Sequence, residues 1–368
     1  MMRRFNLSQL IFSVSIVLLM SFFISCGGGG DDGSSSKSRI SLDGDYGMVI
    51  YESIPGTEEG TTFGTATFTD GSENVIFEQL YTSEGNLGTV GITYTAYSDG
   101  TMTVIGSEGE VSRGIVSPDE NVCTFVNTDF DDDDVEIGFG IKKSSGMTNA
   151  DLTGEYVFVS YYNNPWTAYG TITFNGDGTA IYQRLDDSDG GDMPDPESIN
   201  YNVSDDGSLT ITVATTEVSH GMVSPDGSIL AVANTDTSAL LDPSIGIDVA
   251  IKKSSGMSNA VAAGDYIGVN YHRETSSTYV STTYGLLEFD VDGLGVIEQI
   301  YTSESFLDTL LVENDVSPDG TTIAIMTDLS LVPQGLFFGI ISSNGDVGAS
   351  VDTDDDDHIG IIFSIRKH

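Results

Sequence analysis

Two runs of aspartates are the residues whose type and spacing are best suited to binding a metal ion. Clustered loop carboxylates supply the hard oxygen ligands that Ca²⁺ accepts in flexible geometry, and a bound cation would relieve their mutual repulsion. No Glu follows at the distance that an EF-hand requires. A weak Ca²⁺ site and a solvated acidic loop that aids solubility both remain open, and no other cofactor is expected. The runs consist of Asp129, Asp131, Asp132, Asp133 and Asp134, and of Asp352, Asp354, Asp355, Asp356 and Asp357.

An aromatic cluster is the second candidate site. Tyr161, Tyr162 and Trp166 lie within six residues of one another, beside Pro165, and Trp166 is the only tryptophan of the chain. Aromatic side chains are enriched where proteins contact ligands and partners. The cluster therefore suggests a contact with a carbohydrate or a peptide, although a loop packed over the end of a barrel would look the same.

Catalytic signatures are not found in the sequence. The four histidines, His220, His272, His358 and His368, have no zinc-ligand spacing with one another or with a cysteine. No nucleophile elbow, P-loop or dinucleotide fingerprint occurs. Cys123 follows Val122 in an apolar stretch, which indicates a packing position. We therefore expect a protein that is not an enzyme.

Composition narrows the class of partner. The 368 residues include 13 Lys and Arg against 56 Asp and Glu, which gives a formal net charge of −43. Phosphate backbones are bound by basic surfaces, so a nucleic-acid partner is excluded. The chain is 39% hydrophobic and contains 17 Phe and 16 Tyr, enough to form packed cores rather than a disordered chain.

Residues 1–25 have the character of a targeting segment. Arg3 and Arg4 precede an apolar stretch that ends in Ser25-Cys26. This end resembles the lipobox of bacterial lipoproteins. The resemblance implies a signal peptide over 1–25, a lipid on Cys26 and attachment to the outer membrane of a Gram-negative bacterium, on its periplasmic or its surface side. Residues 26–38 are rich in Gly, Ser and Asp and read as a flexible tether.

Internal repetition is the strongest pattern. Gly44-Asp45-Tyr46 recurs as Gly154-Glu155-Tyr156 and again as Gly264-Asp265-Tyr266, 110 residues apart each time. The seven residues from Ile141 to Met147 recur identically from Ile251 to Met257. Repeats of this length indicate a supersecondary unit used several times. We predict three units, at 39–146, 147–256 and 257–368.

Within each unit the hydrophobic period is two, which indicates antiparallel strands with one buried face. Asp-Gly and Asn-Gly turns separate the alternating stretches. The first unit is predicted to hold eight strands, near 45–52, 61–69, 75–82, 91–97, 101–106, 111–116, 121–127 and 135–143.

Eight strands per unit allow two all-β architectures. One is three tandem up-and-down barrels. The other is a single six-bladed propeller with two blades per unit. No repeat of about half the unit length is seen, and the one-face alternation suits barrels, so barrels are our prediction. The opening Gly-Asp-Tyr also loosely resembles the start of lipocalin- and avidin-like barrels.

Together these features predict a lipid-anchored cell-envelope protein with a non-enzymatic binding or structural role. Its partners would be the membrane, through the lipid on Cys26, and a protein, glycan or small molecule. One alternative is a carrier that holds a small apolar ligand inside its barrels. Another is a propeller hydrolase or lyase with a site in its central channel.

Overall fold

The computed structural model describes residues 38–53, 59–83, 85, 87–128, 135–163, 166–188, 193–213, 217–235, 245–274, 280–303, 309–327, 333–353 and 358–368. Lipidation at Cys26, the tether and most of the two acidic runs therefore lie outside the described residues. Among the described residues, no helix is long and apolar enough to cross a membrane.

The first unit forms a closed barrel of eight antiparallel strands in which each strand pairs with its neighbours in sequence. Its last strand pairs with its first, and a two-residue strand β1 (Arg39–Ile40) adds to the end of β5. The strands are β2 (Gly44–Ser53), β3 (Glu59–Phe68), β4 (Asn74–Thr82), β5 (Thr89–Tyr97), β6 (Thr101–Ile105), β7 (Val111–Val116), β8 (Val122–Asn127) and β9 (Val135–Lys142).

The second and third units repeat this up-and-down closure. The second barrel contains β10 (Thr153–Tyr162), β11 (Trp166–Asn175), β12 (Thr179–Asp187), β13 (Glu197–Val203), β14 (Ser208–Val213), β15 (Glu217–Val223), β16 (Ile229–Asn234) and β17 (Gly246–Lys252). The third contains β18 (Gly264–Glu274), β19 (Val280–Phe289), β20 (Leu294–Thr302), β21 (Thr309–Val316), β22 (Thr321–Thr327), β23 (Pro333–Ile341), β24 (Val347–Asp352) and β25 (His358–Arg366).

The prediction of three tandem eight-stranded barrels is confirmed, and the six-bladed propeller alternative is wrong. In a propeller, the first strand of a unit would pair only within its own four-stranded blade. Here β2 pairs with β9 over eight residues from Tyr46 to Ser53, so each unit closes on itself. Closure removes the sheet edges, which is the physical advantage of a barrel over an open sheet.

Short linker segments close one end of the second and third barrels. A 3-10 helix at Asn149–Asp151 precedes the second barrel, and helix α1 (Asn259–Ala262) precedes the third. The Asn149 side chain accepts a hydrogen bond from the backbone N–H of Val203, and Asn259 does the same for Val316. Leu152 is fully buried beneath the second barrel. The linker is therefore part of each barrel's core.

The recurring tyrosines at the strand starts are buried, and their hydroxyls serve one repeated purpose. Each ring is at most 1% exposed, and each hydroxyl donates a hydrogen bond to a carbonyl of the turn between the sixth and seventh strands of its barrel. The pairs are Tyr46 with Glu120, Tyr156 with Gly227 and Tyr266 with Gly345. The rings thus pack in the barrel cores, and the hydrogen bond adds a tie between distant parts of each barrel.

The three barrels share one apolar core that lies outside all three interiors. Alternate residues of the first strand point inward and outward; in β10, Val157, Val159 and Tyr161 point outward and are nonetheless 0% exposed. They join a cluster with the matching outward residues of the other two barrels. At its centre, Tyr161 meets Tyr51 at a ring-centroid distance of 5.0 Å and Tyr271 at 4.8 Å, in edge-to-face geometry.

The barrels contact each other in a cyclic order, each making the same kind of contact to the next. A threonine at the start of the second strand donates a hydrogen bond to a carbonyl of the following barrel, and a lysine after the last strand pairs with a turn aspartate. The threonine contacts are Thr61 to Asn234, Thr167 to Asp352 and Thr282 to Asn127. The lysine contacts are Lys143 with Asp206, Lys253 with Asp319 and Lys367 with Asp99. The third barrel thus returns to the first, and the repeats form a closed ring.

Candidate ligand site in the second barrel

A cavity of about 230 Å³ lies inside the second barrel. Its wall is aliphatic and comes from strands all around the barrel. The wall residues are Ile172, Ile199, Ile211, Val213, Leu230 and Val232. Because inward and outward side chains alternate along each strand, these residues face one interior although their strands are far apart in sequence.

At one position of the cavity wall the second barrel has a smaller residue than the first. By pairing register, Val232 occupies the place of Phe125, since Val232 faces Asp248 and Phe125 faces Gly138. A Cβ added at Gly138 would lie 2.2 Å from Phe125 Cζ, so the Phe125 ring fills that space in the first barrel. The shorter Val232 leaves the corresponding space of the second barrel open.

Polar groups gather at the open end of this cavity. Tyr162 ends β10, Trp166 begins β11 and Glu197 begins β13, so all three lie at the same end of an up-and-down barrel. All three also line the cavity. The opposite end is closed by Leu152 and Tyr156, both 0% exposed. The site is therefore an apolar chamber with one polar mouth.

Arg184 is the only cation that lines the cavity within the described residues. Its guanidinium lies 2.9 Å from a carboxylate oxygen of Asp187, which is 4% exposed. It also lies over the Trp166 ring, 4.4 Å from the ring centroid, a cation–π contact. Carboxylate and indole together hold the guanidinium in place. One carboxylate contact uses only part of its five N–H donors.

Asp248 supplies acceptors to the same mouth. Its carboxylate accepts hydrogen bonds from the hydroxyls of Ser160 and Tyr162, the latter at 3.1 Å. Gly246 makes the Tyr162 contact possible, because a Cβ there would lie 2.3 Å from the Tyr162 ring. The aspartate is thus positioned by side chains of the adjacent strand.

Tyr182 forms one side of the cavity and stays protonated at neutral pH. Its ring stacks on Phe158 at a centroid distance of 4.5 Å. Burial raises the pKa of its hydroxyl far above the usual value, and the nearby Asp248 carboxylate raises that pKa further. Tyr182 therefore presents a neutral hydroxyl that can donate or accept a hydrogen bond.

The predicted aromatic cluster is divided between two places. Tyr162 and Trp166 lie at the cavity mouth with ring centroids 5.0 Å apart. Tyr161 lies on the other face of β10, 0% exposed in the core between the barrels. Burial raises its pKa well above the usual value. Tyr161 is thus a structural residue of the core between the three barrels and does not line the cavity.

Most of the predicted Ca²⁺ ligands lie outside the described residues, namely Asp129, Asp131–Asp134 and Asp354–Asp357. Asp352 is described and is 4% exposed, and its backbone carbonyl accepts the hydrogen bond from Thr167. Within the ranges that the structure describes, no group of three His, Cys, Asp or Glu side chains is arranged to hold a metal ion.

The remaining singled-out residues occupy packing positions. Cys123 is 1% exposed, and burial raises the pKa of its thiol to about 12. The His220 ring stacks on Tyr81 of the first barrel, with centroids 3.4 Å apart, and burial lowers its pKa. His220 therefore belongs to the contact between the first and second barrels.

Sequence reasoning missed Arg184, Asp248 and Tyr182. A signal was present in the repeat, because two of them break it. By register, Arg184 corresponds to Gln79 and Gln299, which pair with the matching glycines of β3 and β19. Asp248 corresponds to Gly138 in the first barrel and to Ile362 in the third. Charged residues occupy these inward positions in the second barrel alone.

Comparison with known proteins assigns no family. No protein-family model matches the chain, and no curated protein matches it. Among solved structures, transferrin binding protein B of Haemophilus parasuis is 8% identical, with 91% of this chain and 78% of that chain covered and a TM-score of 0.33. The Neisseria meningitidis protein of the same name is 7% identical, with 90% and 78% covered and a TM-score of 0.33. A Nostoc punctiforme protein of unknown function is 10% identical, with 60% and 99% covered and a TM-score of 0.23. Likeness at this level carries no inference about function.

Proposed function

We propose that this protein is a non-enzymatic binding protein of the bacterial cell envelope whose second barrel holds a small, largely apolar ligand. The observation that supports the proposal is the cavity of about 230 Å³ with an aliphatic wall and one polar mouth. Ligand sites in proteins combine apolar walls with a few placed polar groups, and an eight-stranded barrel is wide enough for one small ligand.

The volume limits the size of the ligand. An engineered apolar cavity of roughly 150 Å³ in another protein binds benzene. By proportion, the second barrel holds a molecule of roughly nine non-hydrogen atoms. Indane, a flat bicyclic hydrocarbon, is a suitable first probe, because it has the right size and carries no polar group.

Binding of indane tests the proposal directly. Trp166 is the only tryptophan of the chain and lines the cavity, so its fluorescence reports on this site alone. We expect a saturable change in Trp166 fluorescence with indane. The variant Val232→Phe, which copies Phe125 of the first barrel, is expected to weaken binding at least fivefold.

The matched control is Ile181→Phe. Ile181 lies on the outer face of β12 and is 42% exposed, so a ring at this position adds bulk without entering the cavity. We expect this variant to bind indane like the unsubstituted protein. Equal affinity of the unsubstituted protein and Val232→Phe, or no binding by either, would reject the second barrel as the ligand site.

We also propose that the binding body is attached to the outer membrane through a lipid on Cys26. The lipobox-like end of residues 1–25 and the tether that follows support this. In cells fed radiolabelled palmitate, the chain is expected to become labelled, and Cys26→Ala is expected to remain unlabelled and to leave the membrane fraction. Equal labelling of the two would contradict lipidation at this residue.

A further inference from the structure

The second barrel carries charged side chains at two inward positions where the other barrels have neutral ones. Arg184 stands where the first and third barrels have Gln79 and Gln299, and Asp248 stands where they have Gly138 and Ile362. Burying a charge is costly unless it is paired and hydrogen-bonded. The three repeats share one architecture, so the fold itself does not require these charges. They therefore indicate a task specific to this cavity.

Arg184 offers donors to the cavity. Its contact with Asp187 at 2.9 Å balances its charge, but a guanidinium has five N–H donors. Arg184 Nε and Trp166 Nε1 are both buried and have no hydrogen-bond partner among the described residues. Buried donors without partners are rare in folded proteins. This side of the mouth thus holds more donors than the barrel itself uses.

Asp248 offers acceptors to the same cavity. A carboxylate has about four lone-pair sites, and the Asp248 oxygens accept hydrogen bonds from the Ser160 and Tyr162 hydroxyls, the Tyr162 hydroxyl lying within 3.2 Å of both. Both Arg184 and Asp248 line the cavity, as does the exposed Glu197 at the rim. A ligand in the apolar chamber therefore meets a donor group and an acceptor group at its polar end.

We propose that the second barrel selects an uncharged molecule with a flat apolar body and one amide-like head that accepts hydrogen bonds from Arg184 and donates hydrogen bonds to Asp248. The proposal rests on the proposed function, because it specifies the ligand of the same cavity. The body lies against the aliphatic wall and the Phe158 and Tyr182 rings, and the head occupies the mouth.

The charges and the unpaired donors around the mouth disfavour ionic heads. With Arg184 and Asp187 balancing each other, an anionic head would approach the negative Asp248 and Glu197. A cationic head would be drawn to those two carboxylates but has no lone pair, so the buried Arg184 Nε and Trp166 Nε1 donors would stay without an acceptor. A neutral amide satisfies both Arg184 and Asp248 without leaving either with a like charge.

A series of probes on one skeleton tests the proposal on the full chain. Indane has no head group, 1-indanone adds an acceptor, indane-1-carboxamide adds acceptor and donor, indane-1-carboxylate is an anion and 1-aminoindane is a cation. Isothermal titration calorimetry gives the five affinities. We expect the carboxamide to bind roughly tenfold more tightly than indane, the ketone to fall between them, and neither ion to bind more tightly than indane.

Two conservative variants assign the head group to its partners. Arg184→Gln copies the other two barrels, and Asp248→Asn keeps the shape of the side chain. Each is expected to reduce the preference for the carboxamide to less than threefold, taken as the ratio of the carboxamide and indane affinities of the same variant. The control Ile181→Thr, on the outer face, is expected to change neither value.

The outcomes separate this proposal from the one on which it rests. If no probe of the series binds, the second barrel is not a ligand site and the proposed function itself is rejected. If indane binds but the carboxamide has no advantage, or if either ion binds most tightly, only the amide-like head is rejected. If both variants keep the full preference, the head does not contact Arg184 and Asp248, and the proposal is likewise overturned.

Discussion

Tyr161 and Tyr162 are adjacent in β10 but serve different parts of the molecule, and replacing each by Ala measures the difference. Tyr161 is 0% exposed and contacts Tyr51 and Tyr271 in the core between the barrels. Removing a buried aromatic ring costs roughly 3–5 kcal/mol, and edge-to-face contacts of about 0.5–1.5 kcal/mol each are part of that cost. Tyr161→Ala is therefore expected to lower the free energy of unfolding by about 3–5 kcal/mol.

Tyr162 is only partly buried, and its hydroxyl bonds to Asp248, which keeps a second hydrogen bond from Ser160. Losing one such hydrogen bond and a partly exposed ring is expected to cost about 1–2 kcal/mol. For indane binding the order reverses. Tyr162→Ala enlarges the mouth and weakens binding, whereas Tyr161→Ala changes the affinity less than twofold.

Guanidinium chloride unfolding, followed by far-UV circular dichroism and by Trp166 fluorescence, gives both free energies. Dichroism reports all three barrels and the fluorescence reports the second, and we expect the two transitions to coincide because the barrels share one core. The reasoning is refuted if Tyr162→Ala costs as much stability as Tyr161→Ala, or if Tyr161→Ala weakens indane binding more.

Three further results are expected. Glu120 has a φ of 58°, and the other two barrels have Gly227 and Gly345 at this position. Glu120→Gly should raise the free energy of unfolding by about 0.5–1 kcal/mol, because glycine adopts a positive φ without strain. A lower denaturant midpoint for this variant would contradict the prediction. Because burial raises the pKa of the Cys123 thiol to about 12, iodoacetamide at pH 8 should alkylate it only after unfolding, as mass spectrometry would show. Burial raises the pKa of the Tyr271 hydroxyl to about 12, while an unfolded Tyr titrates near 10. The resulting contribution to stability is complete below about pH 10 and is lost as the pH rises toward 12. The denaturant midpoint of the unsubstituted protein should therefore fall over that interval, and that of Tyr271→Phe should fall less.

The sequence predicted the strands well, because strand formation leaves local marks. In the first unit the eight predicted strands match β2 to β9 to within a few residues at each end. Alternation of apolar and polar residues sets the strand, and Asp-Gly turns such as Asp99-Gly100, where Gly100 has a φ of 84°, set its end. Both signals lie within a few residues of the element that they define.

The candidate site was predicted only in part. Trp166 and Tyr162 were singled out by their aromatic character, but Tyr161 was grouped with them although alternation places neighbours on opposite faces. The burial pattern explains the difficulty. Residues 156–161 of β10 are buried on both faces, so neither face could be identified as the interior from hydrophobicity alone.

What the sequence determined by itself is the set of three repeats, their strands, their turns and the net charge of −43, since each follows from local pattern or composition. The tertiary structure decided how the strands close, how the barrels form a ring and which side chains enclose the cavity of the second barrel. Closure joins β10 to β17 across about ninety residues, and the ring joins Thr282 to Asn127 across two barrels. Val232 stands opposite Asp248 on the neighbouring strand, and both line the cavity. Such contacts arise from packing between distant segments, which leaves no periodic mark in the chain.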